Sequence, residues 1–124
     1  MMKTPKILIV EDNFDNSQLV QLLLEREKFK ISTAVNGKEG LEVARREHPD
    51  LIVLDLDMPV MSGWDMLQQL KADPAIRDTR VVVVTAHLLP GERDRAVEAN
   101  ADGFVSKPFT VNELVSEIKG CLNR

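Results

Sequence analysis

A chain of 124 residues, 44% of them hydrophobic, has enough apolar material for one ordinary globular core without disulfide or metal staples. Its 20 acids against 16 bases, a net charge of −4 and scattered Lys and Arg argue against nucleic-acid binding, which needs a basic stripe. No apolar run approaches the ~20 residues of a membrane span, and the opening MMKTPK leads only to ILIV before two acids, too short for a signal-peptide core.

In chain order, KILIV (6–10) is a continuous apolar run of the kind found in strands covered on both faces. Leu19, Val20, Leu22, Leu23 and Leu24 recur at spacings of three and four, which predicts a helical stripe ending near Arg26-Glu27-Lys28, with Asp12 or Asn13 available as its cap. KISTAV (30–35) reads as a half-polar strand, and GKEGLEVARREH (37–48) as a modest helix stopped by Pro49, with His48 solvated at its end. DLIVL (50–54) is the third strand. A short helix from Trp64 to Lys71 follows, with Ser62 as its cap and Trp64 anchoring it to the sheet edge.

RVVVV (80–84) is the fourth strand, followed by a helix near Glu92 to Asn100 and a strand DGFVS (102–106). In the final helix Val111, Leu114, Val115, Ile118 and Leu122 form one stripe, with Thr110 as cap. The lone Cys121 is expected in the core there, and a single free thiol suits a reducing cytoplasm.

Five alternations of strand and helix predict an α/β fold, a doubly wound parallel sheet with helices on both faces. Strands 1, 3 and 4 are uninterrupted aliphatic runs, whereas strand 2 carries Ser32 and Thr33 and strand 5 carries Gly103 and Ser106. The greasier strands belong in the centre. The order 2-1-3-4-5 results, the flavodoxin-like arrangement, with its crevice beyond the ends of strands 1 and 3.

Residues at the carboxyl ends of the strands therefore matter most. Glu11 and Asp12 follow strand 1, Asp55 and Asp57 follow strand 3, Thr85 follows strand 4, and Lys107-Pro108 follows strand 5. Two like charges ~4 Å apart at an effective dielectric near 20 repel by ~4 kcal/mol, so gathering Glu11, Asp12 and Asp55 calls for a cation. Oxygen ligands without a Cys or His cluster suit Mg²⁺ better than zinc. With a lysine and a hydroxyl across the same crevice, the chemistry that fits is phosphoryl transfer onto a carboxylate, with Asp55 as the candidate nucleophile.

These residues resemble the receiver domain of bacterial two-component response regulators over nearly the whole chain. Glu11-Asp12 matches the family's acidic pair, Asp55 in DLDMPVMSG the phosphorylated aspartate, Thr85-Ala86 the switch hydroxyl and its small neighbour, and Lys107-Pro108-Phe109 the lysine-proline motif. The resemblance implies that Asp12, Asp55 and the Asp57 backbone carbonyl hold Mg²⁺, with Glu11 helping through water. It also implies that Asp55 takes phosphate from a phosphohistidine on a histidine kinase or histidine phosphotransfer protein, assisted by Lys107 and Thr85.

Such a protein acts as a catalyst only in its own phosphorylation and dephosphorylation. A cis Lys107-Pro108 peptide and a switch built on Thr85, Phe104 and Pro108 are further implications. Output would pass through protein contacts at the face of the fourth helix, fifth strand and fifth helix, from one receiver domain spanning 1–124 with no output domain. GERDRAVEANA offers the fourth helix only small or lone apolar anchors, so its packing should be weak and movement cheap.

Some positions depart from the common pattern. Phe104 keeps an aromatic where the family often has Tyr, but without a hydroxyl. Asp57 and His87 stand where side chains flank the phosphoryl group, and Asp57 is expected to alter the lifetime of an aspartyl phosphate. Ser62 stands where the family commonly has MDG.

A haloacid-dehalogenase-like phosphatase shares the strand-DLD pattern, but Pro59 stands where it expects Thr or Val. A flavin carrier shares the fold, but EDNFDN replaces its phosphate loop. A degenerate receiver that only binds partners should lack one of the key residues, and all are present.

Overall fold

The computed structural model describes residues 4–58, 61–86 and 91–123. In chain order the elements are β1 (Lys6–Val10), α1 (Phe14–Arg26), β2 (Lys30–Ala34), α2 (Gly37–Glu47), β3 (Leu51–Asp55), α3 (Gly63–Ala72), β4 (Arg80–Thr85), α4 (Glu92–Glu98), β5 (Gly103–Ser106) and α5 (Val111–Leu122). The strands form one parallel sheet in the order β2-β1-β3-β4-β5. Central β3 is buried throughout, whereas edge strands β2 and β5 are each buried at only one residue. Polar residues in those two runs thus mark the sheet's margins.

Period-two alternation divides the core into two layers. Leu8, Val10, Ile52, Leu54, Val81 and Val83 face α2, α3 and α4, while Ile7, Ile9, Val53, Val82, Val84 and Val105 face α1 and α5. Side-chain caps start four helices. Asn13, Asn36, Ser62 and Thr110 each accept a hydrogen bond from the backbone amide three residues on, satisfying a donor the helix cannot. His48 ends α2 in the left-handed conformation (φ 48°) and is exposed. Cys121 is fully buried.

Two expectations need correction. The five aliphatic residues of α1 do not share one face, because at 100° per residue Leu22 and Leu24 point in nearly opposite directions. Leu24 is buried, but Leu19 and Leu22 are 57% and 55% exposed. The fourth helix ends at Glu98, two residues before Asn100, while its burial of Ala96 alone agrees with the weak packing expected of it. Trp64 packs half-buried on the α3 side of the core, and the Arg95 guanidinium of α4 stacks 4.0 Å from its ring centre.

Candidate functional site

The strand alternation that aims Ile9 and Val53 toward α1 and α5 carries the next residues on the same face, Glu11 and Asp55, to the carboxyl edge of the sheet. Both are buried, and with exposed Asp12 they bring a carboxylate oxygen each to within 4.8 Å of one another. These three could hold a metal ion. The Asn16 amide donates to Glu11 Oε1 at 3.2 Å, while no donor among the described residues reaches the buried Glu11 Oε2. A buried carboxylate oxygen left without a donor is costly unless something else meets it.

Asp55 is better supplied. Its Oδ1 accepts the Asp57 amide at 2.9 Å and its Oδ2 the Lys107 ammonium at 3.2 Å. Lys107 reaches it from the end of β5, where its own amide donates to the Thr85 carbonyl at 2.8 Å and extends the β4–β5 pairing. The Lys107-Pro108 peptide is cis, and Pro108 is exposed.

Burial, followed by an Asp55 carboxylate close enough to share a proton, pushes Glu11 up to about 8, against the pull of Asn16 and Lys107. Burial also raises Asp55, but the shared proton with Glu11, the Asp57 amide and Lys107 together outweigh it and hold Asp55 below its ordinary value. The neighbouring acids thus divide the roles of proton carrier and anion.

Thr85 ends β4 fully buried. Its hydroxyl donates to Asp57 Oδ1 at 3.0 Å, and the Ala86 amide donates to Asp57 Oδ2 at 2.9 Å. Phe104 is half-buried on the opposite side of β5 from Val105, with the Arg93 guanidinium 5.0 Å from its ring centre. His87 and Pro59 lie outside the described residues. Helix α3 begins hard against the end of β3, since a Cβ on Gly63 would come within 2.5 Å of the Asp55 carbonyl oxygen.

A cavity of about 630 Å³ runs from this acid cluster between α1 and α5, lined by Leu19, Val20 and Leu23 on one side and Phe109 and Val111 on the other. Glu11, Asp55 and Lys107 stand at its polar end.

Sequence reasoning missed several contacts. Asn16 lies one turn into α1 from Glu11, a spacing that was readable. The stacking of Arg93 and Arg95 on Phe104 and Trp64, and the grip of the Asp57 carboxylate on Thr85 and Ala86, join residues distant in sequence and have no local signal.

A parallel 2-1-3-4-5 sheet with acids, a lysine and a hydroxyl at the carboxyl ends of its strands defines a receiver of two-component signalling. The chain matches the response regulator receiver domain over residues 7–119 and belongs to that family. It is 34% identical to the polar-differentiation response regulator DivK of Brucella ovis over 119 residues, covering 96% of this chain and 97% of the relative.

Solved structures agree in fold. The receiver domain of a signal transduction histidine kinase from Syntrophus aciditrophicus is 32% identical with a TM-score of 0.88, covering 97% of this chain and 91% of that one. Chemotaxis protein CheY4 of Vibrio cholerae is 25% identical with a TM-score of 0.90, covering 96% and 99%. The protein is therefore a response-regulator receiver of two-component signal transduction, a regulatory domain and not a classical enzyme.

Proposed function

We propose that the protein accepts a phosphoryl group on Asp55 from a phosphohistidine of a histidine kinase or histidine phosphotransfer protein. The observation that carries this reading is the Asp55 carboxylate paired with the Lys107 ammonium, 3.2 Å away, with the Glu11 and Asp12 carboxylates gathered about it. An Asp55 oxygen would bond to phosphorus as the phosphorus–nitrogen bond breaks, and the electron pair would leave with the imidazole. Lys107 and the Thr85 hydroxyl would meet the negative phosphoryl oxygens, the fixed-dipole stabilisation on which phosphoryl transfer depends.

The donor-less, buried Glu11 Oε2 and the all-oxygen set around it fit Mg²⁺. Asp12, Asp55 and the Asp57 backbone carbonyl would hold the ion, with Glu11 acting through water. Bound there, it would neutralise charge on the transferring group. Without the ion, this chain's residues already orient the acceptor: the Asp57 amide fixes one Asp55 oxygen and Lys107 the other.

Thr85, Phe104 and Pro108 would form the switch, with output at the surface of α4, β5 and α5. That surface offers an exposed Val97 and a hollow of about 180 Å³ bordered by Arg93, Phe104 and Glu117. Helix α4 buries only Ala96, and this weak anchoring favours its repacking on phosphorylation.

Incubation with Mg²⁺ and acetyl phosphate, read by intact mass, tests the reading. A Mg²⁺-dependent phosphoryl adduct on the wild type and none on Asp55→Ala is expected. An equal adduct on both proteins places the acceptor elsewhere.

A further inference from the structure

The side chain of Asp57 engages two donors at the end of β4, the Thr85 hydroxyl that would meet a phosphoryl oxygen and the neighbouring Ala86 amide. Thr85 is fully buried at the end of β4, and its hydroxyl must find an acceptor or bear the cost of desolvation. Asp57 supplies one with Oδ1 at 3.0 Å and takes the adjacent Ala86 amide with Oδ2 at 2.9 Å. Both carboxylate oxygens are used in a forked contact across the crevice. The same residue donates its own amide to Asp55 Oδ1 at 2.9 Å, so the fork is mounted beside the acceptor carboxylate.

A phosphoryl group resembles a carboxylate in presenting several anionic oxygens from one centre, and hydroxyl and amide donors serve either. We infer that Asp57 is a positioning residue whose carboxylate stands in for phosphoryl oxygens, holding Thr85 and Ala86 inward until a phosphoryl group on Asp55 displaces it. The inference rests on the reading of Asp55 as acceptor and Thr85 as its switch hydroxyl.

Two consequences follow. Thr85 is already turned into the crevice without phosphate, so the switch starts partly set. Phosphorylation must also break two charge-assisted hydrogen bonds before it can make its own, so Asp57 opposes the modified state by competition for donors as well as by like charge.

Those two effects separate in a double-mutant cycle. Beryllium trifluoride, an acyl-phosphate mimic, is titrated with Mg²⁺ into wild type, Asp57→Ala, Thr85→Ala and the double variant, and binding is followed by fluorine NMR. Asp57 is exposed, so its truncation leaves the core intact. Asp57→Ala should bind the mimic about tenfold more tightly than wild type, the scale of one charge-assisted hydrogen bond no longer competed for.

In the Thr85→Ala background the gain should shrink to about threefold, because only the Ala86 donor remains contested. An equal gain in both backgrounds means that the carboxylate acts by charge alone, and overturns the inference. So does no gain in either.

A second reading needs no ligand: the Ala86 amide proton should lie downfield in the wild type and move upfield in Asp57→Ala, and an unmoved resonance overturns the inference. Failure of the wild type to bind the mimic in a Mg²⁺- and Asp55-dependent way is a different result. It removes the acceptor reading and the inference with it.

Discussion

On the side of the sheet covered by α2, α3 and α4, Met66, Leu67 and Leu70 of α3 are fully buried over Leu8, Ile52 and Leu54. On the other side α1 buries only Ser17 and Leu24, and a cavity of about 630 Å³ separates it from α5. The cause is helical phase. The α3 residues fall on one stripe, whereas the aliphatic residues of α1 are spread around the helix. The comparison teaches where the acids sit: Glu11 and Asp55 stand on the loosely covered face, at the polar end of the cavity, the place a phosphoryl donor would have to reach if Asp55 is the proposed acceptor.

The largest expected effect contrasts these faces directly. Leu67→Ala should cost about 2–5 kcal/mol in urea unfolding, as a fully buried leucine leaves a cavity, whereas Leu19→Ala should cost less than about 1 kcal/mol. Equal losses would break the contrast.

A glycine pair sharpens it. Gly63→Ala drives a Cβ to 2.5 Å from the Asp55 carbonyl oxygen and should destabilise by about 1–3 kcal/mol. Gly120→Ala in α5 meets nothing within 4 Å and should stabilise by about 0.5–1 kcal/mol. Chemical denaturation reads both, and a matching sign would contradict the close approach of α3 to β3.

Glu11 makes the polar end of the open face sensitive to pH. Its folded-state value is raised to about 8 from 4.5, so the folded chain keeps a proton the unfolded chain has lost. Stability from this group is full below 4.5 and falls as pH rises to about 8, with Glu11→Gln removing the slope. Mg²⁺ binding should expel the same proton. Calorimetry should show affinity rising by up to about tenfold per pH unit until pH approaches 8, then levelling, and a flat profile in Glu11→Gln. A pH-independent wild type would refute proton release.

The smallest effect concerns α4. Arg95→Ala removes the stack on Trp64 and should cost about 0.5–1 kcal/mol, with no further loss when Trp64→Leu is already present. Additive losses would mean that Arg95 supports α4 in another way.

Much of this architecture was legible because strands announce themselves individually. Continuous runs at KILIV and RVVVV, and Ser32 and Gly103 in the poorer strands, were enough to order the sheet. Glu11, Asp55 and Lys107 could be gathered in advance, because a parallel sheet brings its strand ends together. Spacing alone overstated α1, since five aliphatic residues within six positions satisfy a helical pattern while covering several faces. The partner chosen by the Asp57 carboxylate was illegible for another reason: it depends on the path of the chain after β3 and on a residue 28 positions away.

Trp64 gives the molecule a means of being read. It is the only tryptophan in a chain without tyrosine, so its near-ultraviolet emission comes from one ring. That ring lies under an arginine of α4, and its neighbour Gly63 is packed against the Asp55 carbonyl. A change at the end of β3 and a movement of α4 therefore converge on a single fluorophore, and the native chain can report both as light without a label.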